Sequence, residues 1–434
     1  MDKMADVLGR AGAWCGQNKY LSAIKNAFQN FMPLTIAGAI GVLWCNVLVN
    51  DQTGLGLFFK PIMALDFLNP AFQAVNFCTI SCITVGITLG IAQEIGVWNM
   101  GAERAGYIPG LVGLAAWLSV TNTSHMVEGA KDAFTGIAGN ELGATGLFTG
   151  MIIGVLSVEL FCFFEKQDAL KIKMPEQVPP GVARAFEVLV PATITLIITA
   201  CIGSACYNLT GLYLNDVIKN GIQGPLGAVG ATIPGVMIIY LVIMLFWLVG
   251  IHGNNMLSAV KEALFTPLAL ENVEAFNKGE TPKNIINMYA LQMWGEFGGS
   301  GVTIGLVIAI MIFGKREDNK AIATLSLVPG LFNINETVTF GIPMVLNPIL
   351  GIPFVFACLV TILVGYVLTV IGFCPVACLT VPWTTPPLVF GFLATGANIM
   401  GAVTQAILIV VSTVIYTPFL IAYEKYQNKQ AAEA

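Results

Sequence analysis

Apolar runs long enough to cross a bilayer recur along the chain, separated by short polar stretches. The period-2 alternation of a membrane barrel is absent. In the first half, crossings are predicted near residues 31–49, 72–95, 106–120, 146–164 and 186–206, with a sixth at 236–251. The second half is less regular. "NNMLSAVKEALFTPLALENV" is a weak span, because Lys261 and Glu262 interrupt it. "MYALQMWGEFGGSGVTIGLVIAIMIF" is a strong one. "AIATLSLVPG" and "TVTFGIPMVLNP" are each too short to cross alone. "IPFVFACLVTILVGYVLTVIGF" is a full span, "CLTVPWTTPPLVFGFLATG" is broken by three prolines, and "AVTQAILIVVSTVIYTPFLI" is the last crossing. Residues 1–20 read as an amphipathic interfacial helix with no signal-peptide pattern, and 212–231 as a second helix lying along the surface.

Charge decides how these pieces are threaded. With a cytoplasmic N-terminus, and with the two broken segments as re-entrant hairpins, ten crossings remain and the C-terminus is also cytoplasmic. Lys166, Lys171, Lys173, Arg184, Lys315, Arg316, Lys320, Lys425 and most other basic residues then face the cytoplasm. Lys60, Lys131, Lys219, Lys278 and Lys283 face outward. That bias is the positive-inside pattern, and it holds only if the weak span around Lys261 crosses. The fold class is therefore an all-α polytopic membrane protein: about ten transmembrane helices, two re-entrant hairpins near 321–347 and 375–395, and amphipathic interfacial helices.

Composition agrees. The 434 residues are 56% hydrophobic and 10% charged, with a mean hydropathy of +0.79, against roughly 25% charged in soluble domains. The net charge of -5 is mild, and no nucleic-acid partner is expected. The ten cysteines are scattered without a CxxC pair and read as small packing residues. Gly146, Gly150 and Gly154, with the pairs Gly86/Gly90 and Gly106/Gly110, form small-residue stripes. These serve either packing within the chain or a subunit interface.

Phosphate-loop, HExxH and GxSxG signatures are missing, and neither a metal nor a cofactor is expected. The chemistry falls instead on polar groups at membrane depth. His252 lies in "GIHGNNML", between Gly250 and Gly253 and before Asn254 and Asn255. The glycines let the helix break there, and Asn offers donors and acceptors suited to sugar hydroxyls. Glu336 sits at the tip of "PGLFNINETVTFGIP", where Asn333 and Asn335 either bind a ligand or satisfy the turn backbone. An ionisable side chain at membrane depth costs roughly 2.5–3.5 kcal/mol on insertion scales, so both are functional candidates. Trp383 and Thr384 occupy the second break, "VPWTTPP". Trp383 is either a stacking face for a pyranose ring or an interfacial anchor. Glu296, in "MWGEFGGSG", is either a pore contact or a helix–helix partner. The residues alone describe a carrier with a polar, sugar-sized cavity, either ion-coupled through Glu336 or His252 or trapping its cargo chemically.

"PLTIAGAIGVLWCNVL", "VPPGVARAF", "GIHGNNML", "GGSGVTIGLVIAI", "NINETVTFGIPMVLNPILGIPF" and "PWTTPP" resemble the membrane IIC component of bacterial sugar phosphotransferase systems, lactose/cellobiose/diacetylchitobiose group. The resemblance runs along essentially the whole chain. It implies a homodimer in the bacterial cell membrane with residues 1–206 as dimerisation domain, 207–235 as an amphipathic linker, 236–422 as the sugar-binding domain and 423–434 as a cytoplasmic tail. It implies elevator-type movement of the binding domain and uptake of a β-linked disaccharide. A phosphorylated IIB protein, fed by IIA, would phosphorylate the sugar 6-hydroxyl, with both partners on separate polypeptides. Carried over by motif, Glu336 and His252 would stand beside the reacting hydroxyl. Trp383, Thr384, Asn333, Asn335, Gly253, Asn254, Asn255 and Glu296 would line the sugar. "GIHGNNML" departs from the chitobiose members in the residues after the glycine, and Glu296 is unusual.

Overall fold

The apolar runs fold as helices, because a backbone at membrane depth has no water to satisfy its polar groups. The computed structural model describes residues 14, 17–51, 55–57, 59–125, 134–175, 177–225, 230–342, 344 and 347–433. Most of the expected interfacial helix of residues 1–20 lies outside them. Strand among the described residues is confined to a short ladder, Ser124–His125 against Phe134–Thr135. Among the described residues, five helices are long and apolar enough to cross a membrane. Two bent helix pairs pass the same test of length and hydropathy when taken together, Lys60–Ser81 with Ile83–Met100 at 42° and Met288–Val302 with Ile304–Phe313 at 59°. Ile108–Val120 and Ile233–Leu248 are shorter apolar helices.

The chain packs as two compact units. One comprises Gln17–Gly38 and Ala74–Ala228. It holds α1 (Lys19–Leu43, which continues past the unit's edge), α2 (Ile83–Met100), α3 (Ile108–Val120), α4 (Ala144–Glu165) and α5 (Pro180–Thr210). The glycine stripe of α4 is used inside the chain. A Cβ on Gly150 would stand 2.2 Å from Thr88 Oγ1, and one on Gly154 3.1 Å from the Thr88 carbonyl oxygen. Gly86 likewise admits the Phe31 ring, and Gly113 admits Ala92. Close approach of this kind is what small-residue spacings supply. At the end of α4 the buried Glu165 carboxylate accepts from Arg104 Nε and Arg184 Nη1, both at 2.9 Å, so its charge is paired.

The other unit joins Ala39–Gln73 to Val229–Ala434. Its helices are α6 (Ile233–Leu248), α7 (Gly253–Met256), α8 (Ser258–Asn277), α9 (Met288–Gly295), α10 (Ile304–Phe313), α11 (Glu317–Leu331), α12 (Glu336–Gly341), α13 (Gly351–Val370), α14 (Val389–Ala394) and α15 (Ile399–Glu433). The weak span around Lys261 is the unbroken 20-residue helix α8. The run "MYALQ…MIF" breaks instead, at Gly298, Gly299 and Gly301, all with left-handed φ. Close approach requires glycine at all three positions as well; a Cβ on Gly298 would lie 2.6 Å from the Ile304 backbone nitrogen. A Cβ on Gly301 would lie 2.4 Å from the Phe354 ring, and one on Gly299 2.6 Å from Asn335 Cβ.

Side chains satisfy the broken backbone of this loop. Thr303 Oγ1 donates to the Gly298 carbonyl at 2.6 Å, Asn335 Nδ2 to that of Ser300 at 2.8 Å, and the Tyr416 hydroxyl to that of Gly301 at 2.7 Å. Irregular backbone survives at membrane depth only when its groups are satisfied or line a cavity. The second broken segment, between α13 and α14, obeys the same rule. Asn272 and Asn287 both donate to the Ala377 carbonyl, at 3.0 and 3.1 Å. Gln405 Oε1, from α15, accepts from the Leu388 and Gly391 amides at 2.8 and 2.7 Å.

Candidate functional site

Three chain breaks meet at Asn333, which holds a left-handed φ of 63° at the end of α11. Asn tolerates that conformation better than most residues. Its Oδ1 accepts the Gly298 N–H at 2.7 Å, and its Nδ2 donates to the carbonyls of Trp383 and, at 3.1 Å, Thr385. One amide therefore ties the glycine-rich break, the Asn333–Glu336 turn and the Trp383–Pro387 turn together. Beside them opens a cavity of about 560 Å³, within the usual 300–1,000 Å³ of small-molecule sites.

His252 and Glu336 are neighbours on the wall of this cavity. Gly250, at φ 81°, turns the chain out of α6 and lets His252 become the N-cap of α7. Its Nδ1 accepts the Asn255 N–H at 3.3 Å, and its ring lies 4.4 Å from that of Trp247. Its Nε2 stands 3.8 Å from Glu336 Oε1. Glu336 opens α12, where a carboxylate meets the positive end of the helix. Both side chains are open to the cavity, at 39% and 47% exposure. Trp383 lines it too and is 43% exposed.

Asn254, Asn255, Glu296, Asn333 and Asn335 also line the cavity. Asn254 is already engaged: its Nδ2 donates to Ser300 Oγ at 2.9 Å, and its Oδ1 accepts from Lys261 at 3.4 Å. Asn335 is buried on the Ser300 carbonyl. Gly253 and Thr384 are not among the lining residues. A Cβ on Gly253 would fall 2.0 Å from the Ile243 carbonyl oxygen, so its service is close packing against α6. Glu296 combines the two roles left open for it. It lines the cavity and also pairs with Lys261 of α8 and with the Tyr240 hydroxyl of α6, the latter at 2.7 Å.

Gln292, Ser300, Phe390 and Gln405 line the cavity as well, without a signal in the sequence. Gln292 sits on α9, four residues before Glu296, which follows the end of that helix, but a lone glutamine in an apolar helix marks nothing until its neighbours are known. Lys261 reads in sequence only as a blemish on a span.

A helical chain whose spans break around one polar cavity with paired ionisable groups is built as a membrane permease. The comparisons with known proteins agree. Residues 25–358 match the family "Phosphotransferase system, EIIC", and the chain belongs to that family. It is 34% identical to the oligo-beta-mannoside-specific EIIC component of Bacillus subtilis, over 98% of this chain and 94% of the relative. It is 29% identical to the cellobiose-specific EIIC component of Lactococcus lactis, over 98% of each. Among solved structures it resembles the transporter ChbC, the IIC component from the N,N'-diacetylchitobiose-specific phosphotransferase system. The TM-score there is 0.88 at 29% identity, covering 97% of each chain.

Proposed function

We propose that this protein imports a β-linked disaccharide and releases it inside as the 6-phosphate, with phosphorylated IIB as donor and IIA behind it. The observation that carries this reading is the 3.8 Å gap between His252 Nε2 and Glu336 Oε1 on the cavity wall. A hydroxyl oxygen at about 2.8 Å from each atom fits that gap. The cellobiose and oligo-beta-mannoside relatives, and the diacetylchitobiose transporter, are all named for β-linked sugars.

The two groups take different roles. Because Nδ1 accepts the Asn255 amide proton, the neutral imidazole carries its own proton on Nε2, toward the cavity. His252 then donates to the sugar oxygen, and Glu336 is left as the acceptor. As the 6-oxygen attacks phosphorus, its proton passes to Glu336, and the P–S bond to the IIB cysteine breaks, leaving a thiolate. Trp383 offers its face to the C–H side of a pyranose ring.

In this reading the five long helices, the two bent pairs, the two shorter apolar helices and α8 serve as ten crossings. With both termini cytoplasmic, the α11–α12 segment enters from inside and the Trp383 segment from outside, and their tips meet at Asn333. The unit containing α2–α5 serves as the homodimer contact, surrounded by lipid, and the sugar-binding unit moves as an elevator.

The test uses vesicles supplied with the soluble partners and phosphoenolpyruvate. The expected result is accumulation of sugar phosphate, lost in Glu336→Gln and in His252→Ala. Uptake of free sugar that collapses with the proton gradient would replace this reading with a proton symporter using Glu336 or His252.

A further inference from the structure

Lys261 is a charged residue in the middle of a unit built to exclude water. Its side chain is 7% exposed and that of Glu296 is 17% exposed. Burying such a pair is often no better than burying apolar residues of the same size, so packing alone does not account for it. Of the two, Glu296 lines the cavity and Lys261 stands behind it. Lys261 Nζ and the Tyr240 hydroxyl both bond the same carboxylate oxygen, Glu296 Oε1. The lysine also lies 5.5 Å from the Tyr240 ring centroid and bonds Asn254 Oδ1 at 3.4 Å. Glu296 Oε2 has no partner among the described residues, on a side chain that lines the cavity. One turn earlier, Gln292 lines the same cavity, and its Oε1 is buried without a hydrogen-bond partner. An orphaned buried acceptor is destabilising unless a ligand meets it.

We propose that Gln292 and Glu296 form a second sugar-binding wall, which recognises adjacent hydroxyls of an uncharged ring, and that Lys261 is the positioning residue holding Glu296 toward the cavity. This rests on the sugar-transport reading and adds a specificity to it. Two neighbouring acceptors on the cavity wall match two neighbouring donors on the ligand, and a vicinal diol presents them. A ring carrying a carboxylate or phosphate at that place meets Oε2 with like charge and is rejected. This wall lies on α9 and the loop after it, whereas the reacting hydroxyl is served from α7 and α12, so the wall governs affinity and not the transfer step.

The test measures binding of cellobiose, lactose, mannobiose and diacetylchitobiose by calorimetry, and phosphorylation kinetics with the tightest of them. Glu296→Gln, Lys261→Met and the double variant are compared with wild type. One charge-assisted hydrogen bond is worth about 1.5–3 kcal/mol, so each single variant is expected to lose roughly ten- to hundredfold in affinity. KM rises while kcat stays within about threefold. The double variant, with both charges removed, regains thermal stability and stays as weak as Glu296→Gln. A double variant that binds like wild type makes the pair structural only and overturns the proposal, as does wild-type affinity in Glu296→Gln. A loss confined to kcat overturns it too. A wild-type protein that binds none of the four sugars removes the transport reading as well, whereas wild-type binding with unaffected variants removes only the second wall.

Discussion

Replacing Asn333 with glycine removes the side chain that joins three chain breaks and leaves the backbone unstrained, because glycine adopts a φ of 63° freely. The bonds lost are those to the Gly298 amide and to the Trp383 and Thr385 carbonyls. At about 1 kcal/mol net for each, the change costs roughly 3 kcal/mol. Asn333→Ala loses the same bonds and adds about 1–2 kcal/mol for a Cβ in the left-handed region. Stability therefore falls in the order wild type, glycine, alanine. Trp383 and the turn leading to Glu336 share this anchor, so sugar affinity falls with it, by about tenfold if half of the cost appears in the bound state. Thermal unfolding of the purified protein in detergent measures the first quantity and calorimetry with the preferred disaccharide the second. An Asn333→Gly protein with wild-type midpoint and affinity refutes the clamp. An alanine variant more stable than the glycine one refutes the backbone half of the argument.

Gln405→Met leaves the Leu388 and Gly391 amides without their acceptor, at about 1–3 kcal/mol each. Thermal unfolding and proteolysis at the Trp383 segment should both show the loss. In the other unit, Gly150→Ala puts a Cβ 2.2 Å from Thr88 Oγ1 and should cost about 1–3 kcal/mol. Adding Thr88→Ala should return part of the lost thermal midpoint, and no recovery would mean that α2 and α4 do not meet through Gly150.

Much of the helical plan was legible because hydrophobic runs of spanning length are a local property of the chain. The breaks at Asn333–Glu336 and Trp383–Pro387 were legible too, since proline and asparagine act on their own backbone. The bend at Gly298–Gly301 was not, because "GGSG" inside an apolar run is tolerated in a straight span as well. What bends it is the neighbours: the Phe354 ring in the space of a Gly301 Cβ, and Asn335 and Tyr416 reaching its carbonyls. The glycine stripe of α4 announced close packing but not its partner, which is Thr88 of the same chain.

At the candidate site the key side chains stand out locally: a His beside a glycine break, a Glu at a turn and a Trp among prolines are each costly or unusual at membrane depth. Tertiary structure alone decided that His252 and Glu336 stand 3.8 Å apart, that Asn333 is a clamp and that Gly253 is a packing contact. It also decided that Lys261, a flaw in a predicted span, is the partner of Glu296. The reason is physical. The cost of a buried charge is set by its own residue type and local run, whereas what compensates that cost lies tens of residues away and is found only when the helices pack.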